Sequence, residues 1–459
     1  MLRNVISVID GAAGSCGKAK VVGEIATDKS INLGAAVTNC MPNAGHTFVD
    51  ENGNKTVFRN IPVSLVNPNT EVFIGPGSAI DMEVFKNEYE NAEGYLNDRK
   101  IYVHEMVPLI EERHKEWERE HIKSGSTFKG CAAVQMEKIA RDPQLQFFKD
   151  FKNAVVCSND EWLDRLHAHL DNPNEYTILE GAQGCDLSLN HSGNYPYVTS
   201  RNVSTTQLLA DSGISPERLL QTIMVIRPFP IRINNITSDG RYIYTGEYGT
   251  GQELTWTQIN LASMYGRYPY NGDIDDYNYV LSRRMIKKGL KLCPEIYLKQ
   301  IFGGNYKDIN PKDVTILQAL EMERLYWKSN GQNCYTSRYL RDMPLTENNL
   351  DGRTIVDQSE QTTVTKMERR IFDLDIQKLI NNCRINTPSS LYLNFFQHLS
   401  YDHVGVIGNY DDIWFDKSLR SYIDWLESET NTDISKLGSG AKNGERIKRK
   451  ELIKPIEKR

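Results

Sequence analysis

The chain has 459 residues, with 54 basic and 60 acidic side chains and 39% apolar residues. That length suits two or three ordinary domains or one elaborated domain and excludes a staple-dependent fold, while no apolar run approaches the roughly 18 residues needed to cross a bilayer. The formal charge of -6 argues against a general grip on nucleic acid and leaves room for a local basic pocket that binds a small phosphate ligand.

From the amino end, Val5 to Ile9 is a short β-branched run closing on Asp10 and Gly11, and Lys18 to Ile25 has helical periodicity, which predicts strand, loop and helix start. Glu71 to Ile74 predicts a strand entering the turn GPGSAID, with helical patterns through Arg99 and from Val107 to about Glu118. Tyr176 to Leu179 runs as a strand into GAQG, Thr222 to Ile226 ends before RPFPIR, and Leu391 to Asn394 is a further short strand. Strands separated by helical stretches predict an α/β sheet with ligand loops at the strand ends. Between about 234 and 358 the chain turns dense in Tyr, Asn and Asp, with helical patterns at Tyr279 to Leu292 and Val314 to Trp327, and is read as an inserted subdomain. The tail KNGERIKRKELIKPIEKR predicts a solvated, frayed end. Eight cysteines show no CxxC pair or zinc spacing, and the start has too short an apolar stretch for a signal peptide; buried, reduced cytosolic thiols are expected.

The loop GAAGSCGKAK, Gly11 to Lys20, lies between the first strand and helix, where glycines permit close backbone approach and amides plus a lysine cradle phosphate. It is not a standard P-loop, which needs Gly at Ala12 and Ser or Thr at Ala19. NAGHT, Asn43 to Thr47, adds a glycine for close approach and a histidine able to donate to developing negative charge. With EGAQG at Glu180 to Gly184 and YPYVTSRN at Tyr195 to Asn202, the set resembles the adenylosuccinate synthetase family.

The resemblance implies an α/β, adenylosuccinate synthetase-like fold with a central, mostly parallel sheet and the inserted subdomain. Residues 1–233 would form the nucleotide- and purine-binding core, 234–358 the Tyr-rich insert, and 359–459 the aspartate-loop and base-binding remainder. It implies a carbon–nitrogen ligase that makes a purine 6-phosphoryl intermediate with a nucleoside triphosphate, then lets the aspartate amine displace phosphate at C6. Lys18 falls on the lysine that contacts the transferred phosphoryl group and His46 on the catalytic acid. The triphosphate site would comprise Gly14, Gly17, Lys18, Gly45, His46, Thr47, Asn394, Gln397, Gly438 and Gly440. The purine nucleotide would meet Ser15, Asn43, Thr127, Gln183 and Thr199, with Arg141 reaching it from the partner subunit of a homodimer. In TTVTKMERRIF, the resemblance assigns Thr363, Thr365, Arg369 and Arg370 to aspartate carboxylates, while one family arginine aligns with Met367. Mg2+ is implied, with Ser15 and the Gly45 carbonyl as candidate ligands.

Two departures choose within the family. Ser15 stands where ordinary members place the aspartate that takes the purine N1 proton and ligates magnesium, and serine is not such a base at neutral pH. The TKLD element that reads guanine is replaced by NFFQ, Asn394 to Gln397, which favours ATP or dATP over GTP. Both point to the phage branch of 2-aminoadenylosuccinate synthases, which act on dGMP and feed 2-aminoadenine into phage DNA. The expected substrates are dGMP, ATP and L-aspartate, with no direct nucleic acid or membrane partner and a cytoplasmic location, that of the host if the chain is phage-encoded. The alternatives are an ordinary adenylosuccinate synthetase using IMP and GTP, and a non-catalytic nucleotide sensor. Trp256 of GQELTW is expected to be a core or interface anchor.

Overall fold

A computed structural model describes residues 1–236, 240–254, 368–415 and 417–458, together with 256, 259, 263, 295–304, 306–309, 360 and 361. The helices expected at Tyr279 to Leu292 and Val314 to Trp327 lie outside the described residues, as do Thr363, Thr365 and Met367.

Val5–Asp10 is buried along its whole length, and its side chains divide strictly by parity. Val5 and Ile9 join one apolar cluster while Ile6 and Val8 join another, so the strand is covered on both faces, as central strands of parallel sheets are. The sheet has eleven strands among the described residues. From edge to edge they are Gly408–Asn409, Arg446–Lys448, Ile434–Gly438, Ser390–Leu393, Leu219–Ile226, Val5–Asp10, Tyr176–Glu180, Leu33–Thr38, Glu71–Ile74, Ile101–His104 and Ala154–Cys157. Every pairing is parallel except Ile434–Gly438 with Arg446–Lys448. A parallel sheet turns the carboxyl ends of its strands to one side, where ligands bind in open α/β folds.

Lys18–Thr27 packs Val21, Val22 and Ile25 into the same cluster as Ile6 and Val8. Met82–Leu96 starts at Asp81, whose carboxylate accepts from the amides of Glu83 (3.0 Å) and Val84 (3.3 Å), and ends at Asn97 with φ 45°. The helix expected from Val107 begins later, at Glu112–His121. Pro108 has no N–H to give, and the amides of Leu109 and Ile110 go to the carbonyls of Gln146 and Ile80 (2.8 Å each). The apolar run is therefore a bridging segment, and Glu111 with His114 forms the capping box that opens the helix.

The basic tail is docked, not frayed. Arg446–Lys448 is a strand of the central sheet, Leu452 is buried, and the Gln221 amide group receives the Lys454 N–H (2.8 Å) and donates to the Leu452 carbonyl (2.9 Å). Glu457–Lys458 pairs with Leu2–Arg3. A separate sheet joins Ile231–Arg232, Arg370–Phe372 and Glu253–Leu254, with Trp256 buried just beyond.

Glu88, buried on Met82–Leu96, collects the backbone amides of Arg59 (2.5 Å), Asn60 (3.0 Å) and Ile61 (2.8 Å). Glu88→Ala leaves these donors without their acceptor and should cost about 3 kcal/mol or more in urea denaturation. Burial pushes Glu88 from 4.5 up to about 7, against the pull of the three amides. The folded state thus holds this proton more tightly than the unfolded chain. The stability gained by protonation is full below about 4.5 and is lost as pH rises through about 7. Glu88→Gln should flatten that slope, and an unchanged profile would contradict the assignment.

Candidate active site

The loop after Val5–Asp10 is built around one carboxylate. Asp10 is fully buried and accepts from the amides of Ala12 (3.0 Å) and Cys16 (2.8 Å), with Lys18 Nζ at 3.3 Å. The loop carbonyls are held from outside. Arg227 Nη1 donates to Ser15 O (3.0 Å), Asn394 Nδ2 to Cys16 O (3.0 Å), Asn382 Nδ2 to Gly11 O (3.1 Å) and the Asp186 amide to Ala12 O (3.0 Å). Two glycines are obligatory here. Gly17 has φ 84°, and a Cβ there would stand 2.1 Å from Asn394 Nδ2. A Cβ on Gly184 of EGAQG would stand 2.1 Å from Ala12 O and 2.2 Å from Gly14 N, so that motif packs directly on the loop backbone.

Lys18 is buried, and its ammonium also donates to Gln183 O (2.8 Å), where Gln183 adopts φ 61°. The structure thus joins Lys18, Gln183 and the glycine loop through Asp10. His46 opens the hairpin His46–Val49/Lys55–Phe58, with Nε2 3.6 Å from Cys40 Sγ. Burial, then the positive charges of Lys18 and Arg59, push His46 down to about 3, and burial pushes the Cys40 thiol up to about 12. At neutral pH the imidazole is neutral and carries one N–H, suited to stabilising charge that develops on a nearby oxygen.

Ser15 is exposed at the loop tip with φ 57°, and Gly14 precedes it with φ 98°. Asn43, Gly45 and Thr47 lie partly buried around His46. Thr127 is partly buried in the approach to Cys131–Ala140, and the Thr199 amide is held by Leu187 O (2.8 Å). Arg141 is exposed at the end of Cys131–Ala140, and its side chain makes no hydrogen bond or ion pair among the described residues. Asn394 is a buried plug between Gly17 and Gly438, whose Cβ would fall 2.0 Å from its Oδ1. Gln397 Oε1 is buried without a hydrogen-bond partner among the described residues. Gly438 and Gly440 flank Ser439, which donates to Val406 O (2.6 Å) and accepts from Gly405 N (2.9 Å).

The adjacent arginines separate. Arg370 grips Glu253 through Nε (3.0 Å) and Nη2 (2.6 Å) and gives Nη1 to Gly246 O (2.7 Å), so it is committed within the protein. The Arg369 guanidinium donates Nε to Gln361 O (3.1 Å) and makes no other hydrogen bond among the described residues. Asp10, Arg227 and Glu360 were not singled out by the sequence reading. Asp10 closing an apolar run eight residues before Lys18 and Arg227 opening RPFPIR were the available signals; Glu360 had none.

The adenylosuccinate synthetase family profile matches residues 8–155 and 144–238. The chain is 34% identical over 270 residues to the N6-succino-2-amino-2'-deoxyadenylate synthase of Vibrio phage phiVC8, covering 56% of this chain and 74% of that protein. It is 27% identical over 324 residues to the adenylosuccinate synthetase of Methanococcus aeolicus, covering 68% of this chain and 92% of that one. Its fold is similar to that of the cyanophage S-2L succinoaminodeoxyadenylate synthetase, solved with dGMP and dATP, with TM-score 0.65, 21% identity, and 98% of this chain and 96% of that one covered.

Asp10→Ala strips the loop of its internal acceptor and leaves Lys18 without its carboxylate. It should lower stability by about 2–5 kcal/mol in urea denaturation and weaken nucleoside triphosphate binding by about tenfold or more in calorimetry. Wild-type affinity in a folded variant would remove Asp10 from the site.

Proposed function

The chain belongs to the adenylosuccinate synthetase family, and from that premise we propose that it joins L-aspartate to C6 of dGMP with ATP or dATP, giving N6-succino-2-amino-2'-deoxyadenylate. The observation that carries dGMP over IMP is Ser15, a small exposed side chain at the loop tip where a carboxylate is the family's rule. A short side chain leaves room beside C2 for the guanine amino group, and its hydroxyl accepts a hydrogen bond. The similarity to phage synthases supports the same choice.

The reaction has two steps. O6 of the purine attacks the γ-phosphorus as N1 gives up its proton to solvent, the β–γ bridge breaks, and the nucleoside diphosphate leaves. The aspartate amine then bonds to C6, releasing its own proton to solvent, and the 6-phosphoryl group leaves as phosphate. Lys18, held by Asp10 and Gln183 O, presents a fixed positive charge to the transferring group. His46 donates from a neutral imidazole to the oxygen that gains charge. Asn43, Thr127, Gln183 and Thr199 hold the purine nucleotide. Gln397 Oε1, a buried acceptor without a partner among the described residues, suits the adenine 6-amino group. Arg369 takes an aspartate carboxylate, with Thr363 and Thr365; Arg370 supports from behind through Glu253. The protein works as a homodimer in which exposed Arg141 serves the neighbouring site.

Among the described residues no cluster of three or more His, Cys, Asp or Glu could cage a metal. The Ser15 hydroxyl and the Gly45 carbonyl would offer oxygen ligands to a Mg2+ that arrives with the triphosphate. The ion would neutralise charge between the phosphates.

The decisive assay pairs dGMP or IMP with ATP or GTP, in the presence of aspartate and Mg2+, and identifies product by mass. The expected active pair is dGMP with ATP; preferred turnover of IMP with GTP would overturn the reading. His46→Ala should keep nucleotide binding and lose turnover by roughly 100-fold or more. Ser15→Asp should crowd C2 and lower the dGMP-over-IMP ratio of kcat/KM by about tenfold; an unchanged or larger ratio would refute the size argument.

A further inference from the structure

Glu360–Gln361 and Glu368–Arg369 face each other across a narrow neck. The Arg369 amide donates to Glu360 O (2.9 Å), Arg369 Nε to Gln361 O (3.1 Å), and Gln361 bridges Glu368. Between the two sides runs the segment assigned above to aspartate. Trp256 secures the neck from behind, giving its indole N–H to Arg369 O (3.0 Å) while meeting His398 edge to face at 5.9 Å.

The Glu360 carboxylate turns from this neck toward Arg227, whose guanidinium pairs with both carboxylate oxygens. Arg227 is fully buried, and its guanidinium carbon stands over the Phe395 ring, 4.1 Å from the centroid. Its Nη1 also donates to Ser15 O at 3.0 Å. One guanidinium thus touches the tip of the purine and phosphate loop, the neck of the amino-acid loop and the strand end that precedes Gln397. Arg369 Nε and His398 Nε2 lie 4.0 and 3.9 Å from the same carboxylate. A fork with fixed planar geometry is suited to this, since a lysine ammonium would lose the paired contact.

We propose that Arg227 and Glu360 are positioning residues for the ligase reaction, a tie that holds the neck of the aspartate loop in register with the Ser15 peptide so that amine and C6 are aligned. This inference rests on the assignment of the loop to aspartate. It predicts a division of effects: loosening the tie disturbs the second substrate and the step that uses it more than the nucleotides, whose holds at Lys18 and Gln183 it leaves in place.

The test is a mutant cycle of Glu360→Gln, Arg227→Met and the double variant, each read in three ways. Aspartate KM should rise by about tenfold or more in each single variant, while dGMP and ATP dissociation constants stay within about threefold of wild type. The double variant should be no worse than the poorer single one, because the residues act as a unit. Glu360→Asp should recover part of the lost kcat/KM for aspartate. Hydrogen exchange of the 11–17 peptide, measured on the ligand-free protein, should quicken in both single variants. That last reading needs no turnover. If the wild-type protein fails to use aspartate, the functional reading falls, while faster exchange in the variants still supports the tie between loop and neck. The proposal is overturned by unchanged exchange, by additive losses, or by nucleotide affinities that fall as far as that for aspartate.

Discussion

A buried negative charge governs the centre of this molecule. Removing a carboxylate from water costs several kcal/mol after relaxation, so Asp10 is tolerated only because two amides and an ammonium face it. Those partners lie two, six and eight residues along the chain. Satisfying them curls the segment back over its own strand end, and the Lys18 ammonium is thereby fixed at the start of a helix. The same charge keeps its neighbour inert: burial, then Asp10, raises the Cys16 thiol well above the ordinary range. A thiolate has no place beside it.

Carboxylates also organise the surroundings of His46. Glu180, at the end of its strand, accepts from the amides of Val63 (2.8 Å) and Ser64 (2.9 Å) and from the Ser64 hydroxyl (2.7 Å). Glu88 takes the amides just before them. Together they clamp the crossover that leaves the hairpin at Phe58, the residue paired with His46. The placement of His46 is inherited from that clamp, and its lowered proton affinity from burial and the fixed cations nearby.

The β-branched runs at Val5 and Tyr176, and the glycine motifs that follow them, were legible because strand period and steric demand are local properties. Gly17 and Gly184 are glycine because Asn394 and the Ala12 and Gly14 backbone leave no room for a Cβ, as the motifs already suggest. The tail was misread since its charge density is that of a solvated end, whereas the Gln221 amide that docks Leu452 and Lys454 lies about half the chain away from them. Val107 to Ile110 misled because four apolar residues fit a helix turn as well as a bridge. The equivalence of Arg369 and Arg370 broke because only Arg370 enters the strand and meets Glu253, while Arg369 precedes it beside Glu360, and these glutamates carry no signature of their own. Long-range polar partners are what a single sequence hides.

Ile231–Arg232 pairs with Arg370–Ile371, so the chain leaves the core and returns to it at adjoining points. Loop closure between fixed ends costs entropy that grows only with the logarithm of contour length, about 0.6 kcal/mol for each doubling. What lies between Ser263 and Glu360 can therefore lengthen, shorten or be exchanged at small thermodynamic expense, because the flanking hydrogen bonds of Trp256 and Glu360 to Arg369 do not depend on it. The catalytic core and the segment it encloses are free to vary at different rates.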